Sequence, residues 1–212
     1  MNMKYDFHTH SKYSLDGYVE PRDIVRAAVN AGLSGIAVTD HNTIKGGLEA
    51  KKYENDELEV IVGAEILTDI GEVIGLFLTE EIVSKNFYDV VNEIKSQNGV
   101  VVIPHPFDGV RGTSVHPDPE LAEFIDSVEV FNSRCVREIY NKKARDYSSR
   151  YNLNIIAGSD AHFKNEVGNA GVETESENIQ EAILKGDLRV FGNRSNIINP
   201  VTTKLIKMWR RV

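Results

Sequence analysis

The stretch Asp6-Phe7-His8-Thr9-His10 near the N-terminus decides how the rest of the chain is interpreted. Residues 4–7 are typical of a short strand, and alternate side chains of a strand point to the same side. His8 and His10 can therefore converge on one point at the carboxyl end of this strand, and Asp16 follows soon after. Because imidazole is a common ligand of transition metals, this pattern indicates half of a metal site.

Length and composition bound the possible folds. The 212 residues are 41% hydrophobic, enough for one sizeable core, so we expect a single domain over residues 1–212. The net charge of -8 disfavours tracking along a polyanion. One cysteine excludes an intrachain disulfide, and the chain shows neither a signal peptide nor an apolar run that could span a membrane. We expect a soluble cytoplasmic protein without a membrane partner.

Strand-like and helix-like segments alternate along the chain. After the first strand, six apolar runs are predicted as strands: 34–39, 59–64, 73–78, 100–103, 127–131 and 154–157. Helices are predicted from Pro21 to a stop at Gly32, over about 44–53, around 87–94 and over 134–150, with a short tail helix from about 200. Seven strands alternating with helices predict an α/β fold, a mostly parallel sheet closed into a barrel.

Most polar residues of interest fall where an apolar run ends. His41 ends the second run, Glu65 the third and His105 the fifth, and Asp160-Ala161-His162 follows the seventh. In a barrel, the carboxyl ends of the strands meet at one rim, which is where active sites lie. The sequence therefore predicts a functional site at this rim, with the His8 and Asp160 motifs facing each other across the closed sheet.

Some of these residues have alternative roles. Asp40 could cap the helix that starts after it, because aspartate is a good N-cap residue. A lone carboxylate such as Glu65 at a buried strand end is costly unless it is paired or bound to metal, which favours a bridging ligand. His116 lies in a loop away from the strand ends, and we expect it on the surface.

The order and positions of the motifs resemble the PHP (polymerase and histidinol phosphatase) family of metal-dependent phosphoesterases. The motifs that carry the resemblance are His8-Thr9-His10, Asp16, Asp40-His41, Glu65, His105 and Asp160-Ala161-His162. They extend over most of the chain, from Lys4 to about Phe191. The resemblance implies a distorted seven-stranded, TIM-like (β/α) barrel with two or three divalent metal ions at its rim. Mixed imidazole and carboxylate ligands suit zinc, manganese or iron, and the sequence does not choose among these metals.

The resemblance also implies how the ligands are shared. By motif, His8, His10, Glu65 and Asp160 would hold the first ion, Glu65 and His105 the second, and Asp16, His41 and His162 the third. The second ion needs a further ligand from the loop after the strand at 127–131. Cys135 matches best in spacing and type, Asn132 is the fallback, and burial of Cys135 as a small apolar residue is the alternative.

Two or three ions roughly 3.5–4 Å apart can acidify a bridging water and stabilise in-line attack at phosphorus. We therefore predict a phosphatase for a small phosphorylated metabolite or nucleotide, with Glu65, Asp160 and His41 in the catalytic centre. Arg134, just past a strand end, is the first candidate to bind the phosphoryl oxygens, because a guanidinium group can grip two oxygens at once. Arg111 and Lys12, in rim loops, are the next candidates.

Other functions stay open. A phosphodiesterase or exonuclease acting on short nucleic-acid ends would need few phosphate contacts, and a histidinol-phosphate phosphatase is a further possibility. A metal-holding module without activity is the third class, which the intact ligand set argues against. The basic residues at 202–211 could contact nucleic acid, but the sequence favours a tail helix that packs its apolar side chains on the barrel.

Overall fold

The computed structural model describes residues 2–196, 199 and 202–203. Within them, nine strands form one sheet: β1 (Met3–Asp6), β2 (Gly35–His41), β3 (Glu59–Thr68), β4 (Gly71–Leu76), β5 (Val100–Ile103), β6 (Ser127–Asn132), β7 (Asn154–Gly158), β8 (Ala170–Thr174) and β9 (Arg189–Gly192). Their order in the sheet is β7-β6-β5-β4-β3-β2-β1-β8-β9. The sheet curves into a nearly closed barrel.

The helices are α1 (Pro21–Asn30), α2 (Lys45–Lys51), α3 (Phe87–Ser96), α4 (Glu138–Tyr151) and α5 (Ile179–Lys185). Helix α1 begins at Pro21 as predicted, because proline suits the first position of a helix. Helix α4 starts at Glu138 rather than at Arg134, since Asn132 accepts the backbone N–H groups of both Arg134 and Cys135 and holds this segment in a turn. The tail helix predicted from about 200 lies, apart from helical positions 202 and 203, outside the described residues.

All seven predicted strands are present, but the seven-stranded count and the alternation of every strand with a helix are wrong. β3 and β4 form an antiparallel hairpin, because the two residues between them are too few for a crossover to a parallel strand. β4 is also antiparallel to β5, and β8 is antiparallel to both β1 and β9. The remaining pairs, β1–β2, β2–β3, β5–β6 and β6–β7, are parallel as predicted.

The barrel closes where the chain leaves β1 and β7. The backbone N–H of Asp160 donates to the carbonyl of His8 at 2.7 Å, and that of His10 donates to the carbonyl of Ala161 at 2.8 Å. Below this seam the buried carboxylate of Asp6 accepts backbone N–H groups from the strand ends around it. The two motifs therefore lie side by side, and not across the sheet from each other, because the first and seventh strands meet at the closure.

Apolar side chains fill both faces of the sheet. Alternate strand residues such as Ile61, Ile74, Val102 and Ile156 form a cluster inside the barrel that α5 closes from below. Their neighbours along the strands, including Val62, Val101 and Val128, pack outward against α3 and α4. No helix among the described residues has the length and apolar character needed to cross a membrane.

Candidate metal centre

The carboxyl rim gathers eight of the nine metal ligands predicted from the sequence. They come from the ends of β1, β2, β5 and β7, from within β3 beside the last residue of β2, and from the loop after β1: His8, His10, Asp16, His41, Glu65, His105, Asp160 and His162. All are buried except His41, whose side chain is 18% exposed. The convergence follows from the parallel strands, whose carboxyl ends lie at the same edge of the sheet.

The carboxylate of Glu65 lies between two sets of imidazoles. Its Oε2 lies 3.1 Å from Nδ1 of His41, 3.4 Å from Nε2 of His10 and 3.5 Å from Nε2 of His8. Its other oxygen, Oε1, lies 2.9 Å from Nε2 of His105. A carboxylate with different histidines on its two oxygens has the geometry of a bridging ligand.

Asp160 adds a second buried carboxylate. Its Oδ1 lies 3.3 Å from Nε2 of His10, and its Oδ2 lies 2.5 Å from Nη2 of Arg111. Its backbone has a φ of 55°, in the left-handed region that most residues avoid. Within the described part of the chain Oδ1 makes no hydrogen bond although it is buried. A bound cation would satisfy this oxygen.

Asp16 and two histidines form a third group at the more open side of the rim. Oδ1 of Asp16 lies 3.5 Å from Nε2 of both His41 and His162. The ring nitrogens of His10, His41 and His162 also lie within 4.8 Å of one another. The placement of Asp16, His41 and His162 matches the third set that the sequence motifs imply.

The electrostatics of the cluster favour the ligand forms of His10 and of the carboxylates. Burial alone would lower the pKa of His8 and of His41, but the carboxylates around them outweigh it and raise the pKa of His8 well above its usual value and that of His41 to about 10, so both would release a proton when a metal binds. Burial, together with the neighbouring His162, lowers the pKa of His10 to about 3, so its imidazole is neutral at pH 7. Burial alone would raise the pKa of Glu65, but His8 and His41 outweigh it and hold that pKa well below its usual value. Burial acts in the same way on Asp160, whose pKa Arg111 and His8 hold low. Neutral imidazoles and ionised carboxylates are the forms that bind divalent metals.

The distances within the cluster fit a metal centre. Ligands held about 2.1 Å from one ion at tetrahedral angles lie about 3.4 Å apart. Nε2 of His8 lies 3.1 Å from Nε2 of His10, and the contacts of both with Glu65 and Asp160 fall between 3.3 and 3.7 Å. Residues of this chemistry at these separations suit zinc, manganese or iron.

Two buried carboxylates outside the predicted ligand set, Glu129 and Asp40, hold ligand residues in place through hydrogen bonds. Oε1 of Glu129 lies 3.0 Å from Nδ1 of His8, and its Oε2 accepts the backbone N–H of His105 at 2.7 Å. Glu129 is not among the residues predicted from the sequence, although a glutamate between Val128 and Val130 in a buried strand is a usable signal.

Asp40 supports the loop after β1. It accepts from the backbone N–H of Ser11 at 2.7 Å and from the hydroxyl of Ser14 at 2.8 Å, and Oγ of Ser14 lies 3.1 Å from Nδ1 of His10. The alternative role of Asp40 as a helix cap is wrong, because the residue that precedes α2 is Ile44.

The candidate cations lie in different surroundings. Arg134 is only 6% exposed; its guanidinium contacts Nδ1 of His162 and donates to the hydroxyl of Thr203 at 2.7 Å. Arg111 both reaches Asp160 and keeps 26% of its side chain exposed. Lys12 forms an ion pair with Glu20 at 2.8 Å. Arg111 is thus the cation with access to both the cluster and solvent.

Cys135 lies outside the groups of potential ligands in the described residues. Its Sγ is 3.6 Å from Oδ2 of Asp108, and burial raises the pKa of the thiol. Asn132 lies nearer, but its side-chain nitrogen donates to Glu129 and Asp160 and its oxygen accepts the backbone N–H of Arg134. The placement favours neither residue as the missing ligand of the second ion.

Comparison with known proteins places the chain in a family. The model of the PHP domain matches residues 6–195. An uncharacterized protein of Methanocaldococcus jannaschii is 37% identical over 190 residues, which cover 84% of this chain and 73% of the relative. A 5'-3' exoribonuclease of Haemophilus influenzae is 40% identical over 70 residues, but these cover only 32% of this chain and 25% of that enzyme.

A solved structure shares the fold. It is a two-domain protein from Bacteroides vulgatus that contains a predicted PHP-like metal-dependent phosphoesterase. The match has a TM-score of 0.76 at 23% identity and covers 91% of this chain and 65% of the other. The family match spans the strands and loops that carry the whole cluster. The chain therefore belongs to the PHP domain family.

Proposed function

We propose that this protein hydrolyses phosphoesters of a small phosphorylated metabolite or nucleotide at a centre of two or three divalent metal ions. The observation that carries the proposal is the position of Glu65, whose two oxygens lie within 3.5 Å of four different histidines. A buried bridging carboxylate is what a site for adjacent ions requires.

The ligand sets follow the motifs. His8, His10, Glu65 and Asp160 would hold the first ion, Glu65 and His105 the second, and Asp16, His41 and His162 the third. Bound there, the ions would supply an acidified water as nucleophile and positive charge for the phosphoryl oxygens.

Two arginine side chains would position the substrate phosphate and offset its negative charge. Arg111 is anchored to Asp160 and Asn132 by Nη2 and to Asp108 by Nε, and it remains partly exposed, so the N–H donors of its Nη1 can bind phosphoryl oxygens of a substrate. Arg134 stays a candidate from the sequence, although its present contacts with His162 and Thr203 suit a positioning role. Proximity of these cations to the ligands would align the phosphate for in-line attack.

Action on nucleic-acid ends is the second candidate. The partial similarity to an exoribonuclease favours it, while the net charge of -8 disfavours long contacts with a polyanion. A terminal nucleotide needs few phosphate contacts, so the same site suits either a small phosphorylated substrate or a nucleic-acid end.

The test is a substrate screen of protein loaded with manganese, zinc or iron. The substrates are p-nitrophenyl phosphate, bis-p-nitrophenyl phosphate, histidinol phosphate, nucleotides including bisphosphates, and short oligonucleotides with a 5'-phosphate. Glu65→Gln serves as the matched control for contaminating phosphatases. We expect turnover of a monoester by the parent protein and not by the control. Equal rates for parent and control on every substrate and metal would contradict the proposal.

A further inference from the structure

Glu72 is a buried carboxylate at the rim that the sequence motifs do not include. It is the second residue of β4, and only 6% of it is exposed. Its Oε1 lies 3.9 Å from Nδ1 of His41, and its Oε2 lies 3.8 Å from Nε2 of His105. Ligand atoms of Glu72, Glu65 and His41 also lie within 4.8 Å of one another.

The hairpin of β3 and β4 sets this position. Glu65 pairs with Ile74 across the hairpin, so the two side chains lie on one face, and Glu72 lies two residues before Ile74 on the same face. Because β4 is antiparallel to its neighbours, its first residues lie at the rim where the parallel strands end. Thr113 fixes the carboxylate by donating its hydroxyl to Oε2 at 2.6 Å.

The separations are those of ligands rather than of hydrogen-bonded partners. At 3.8 and 3.9 Å, the contacts of Glu72 with His105 and His41 are too long for hydrogen bonds. Atoms that share one ion lie about 3 to 4 Å apart, depending on the coordination geometry. Glu72 therefore lies where a ligand of an ion held by Glu65 would lie, at similar distances from His105 and His41.

The two residues predicted to complete the second site, Cys135 and Asn132, already contact other groups. The Sγ of Cys135 lies 3.6 Å from Oδ2 of Asp108 and outside the groups of potential ligands among the described residues. The side chain of Asn132 makes hydrogen bonds through both its oxygen and its nitrogen. Glu72, in contrast, already lies beside both Glu65 and His105.

We infer that Glu72, together with Glu65 and His105, is a ligand of the second metal ion in this chain. The inference rests on the proposed function only in that the centre binds at least two ions. A carboxylate in place of a thiolate makes the second site harder and favours manganese or iron over softer metals.

The experiment measures metal rather than turnover. Glu72→Gln, Cys135→Ser and the parent protein are saturated with manganese, freed of unbound ions by gel filtration and analysed for metal per chain. Competition with a chelating dye gives the affinity for the most weakly held of the bound ions in each protein. Glu173→Gln is the control, because Glu173 is a strand glutamate that pairs with Lys4 away from the rim. Melting temperatures of the metal-free proteins report on folding.

We expect Glu72→Gln to lose about one ion per chain, or to bind the weakest ion at least tenfold less tightly, while Cys135→Ser and Glu173→Gln match the parent. Glu72→Asp, which keeps the charge on a shorter side chain, should recover part of the loss. Parent-like metal content and affinity in Glu72→Gln would overturn the inference, as would a loss of the ion in Cys135→Ser alone. A parent protein that binds two ions but hydrolyses no phosphoester would refute the proposed function and leave this result interpretable.

Discussion

Nδ1 of His8 lies 3.0 Å from Oε1 of Glu129, and neither side chain is exposed to solvent. An imidazole that donates from Nδ1 presents Nε2 as an acceptor, which is the nitrogen that faces His10 and Glu65. The second oxygen of Glu129 accepts from the backbone of His105. One buried carboxylate thus orients two of the histidines that we assign to neighbouring ions.

Glu129→Gln should weaken metal binding without removing a ligand. The two carboxylate oxygens of Glu129 accept from Nδ1 of His8 and from the backbone N–H of His105. A glutamine has only one acceptor oxygen, so its NH2 group would face one of these two donors, and that donor would lose its acceptor. We expect affinity at the first site to fall by about 10–100-fold. Titration of the metal-free variant with zinc in competition with a dye measures this. Affinity equal to that of the parent would show that Glu129 does not orient His8.

Gly46→Ala should destabilise the protein although alanine is the better helix former. A Cβ at this position of α2 would lie 1.8 Å from Oδ2 of Asp40 and 2.4 Å from Oγ of Ser11, which hold the loop after β1. We expect a loss of about 1–3 kcal/mol in the free energy of unfolding, measured in urea. In the control Gly112→Ala the new Cβ meets nothing within 4 Å, so its stability should be unchanged. A Gly46→Ala protein as stable as the control would contradict the steric argument.

Stability at alkaline pH should depend on Tyr147. Burial, with smaller contributions from Tyr151 and Asp118, raises the pKa of Tyr147 from 10.0 to about 12. Because the pKa is higher in the folded state, the protonated phenol contributes fully to the free energy of unfolding below pH 10. This contribution is lost as the pH rises to about 12. The free energy of unfolding should therefore fall less steeply between these pH values in Tyr147→Phe than in the parent. Tyr5 has a similarly raised pKa, so some slope remains in the variant. Identical slopes would show that the phenol gains nothing from its buried position.

Glu65→Gln should lower activity more than replacement of any single histidine. An amide cannot bridge two cations as a carboxylate does, so the variant loses a shared ligand and its negative charge together. We expect kcat to fall by about 10³-fold or more, because metal ions stabilise the charge of the transition state by several kcal/mol. The comparison uses His105→Asn and the circular dichroism of each variant. Activity close to that of the parent in Glu65→Gln would remove the bridging assignment.

The sequence predicts the rim better than it predicts the sheet. His8, His41, Glu65 and His105 could be placed because each follows an apolar run, and in parallel strands such positions share an edge. β9 could not be predicted in this way because none of its residues is buried, so it lacks the apolar pattern of a strand.

The supporting carboxylates depend on distant contacts. Glu129 contacts His8 from 121 residues away, and Glu72 reaches His105 only because β4 is antiparallel to its neighbours. Neither pairing leaves a local pattern in the chain. That the His8 and Asp160 motifs lie side by side could not be predicted either, since spacing along the chain does not reveal which strands meet when a sheet closes.

The number of metal ions per chain distinguishes a centre shared by several ions from a site for a single ion. Protein purified with excess manganese or zinc, and then freed of unbound metal by gel filtration, is analysed for metal by mass spectrometry and for protein by amino-acid analysis. We expect two to three ions per chain, with loss of phosphoesterase activity when a chelator removes them. A value of one ion or fewer in protein that is folded and metal-replete would contradict the shared centre around Glu65.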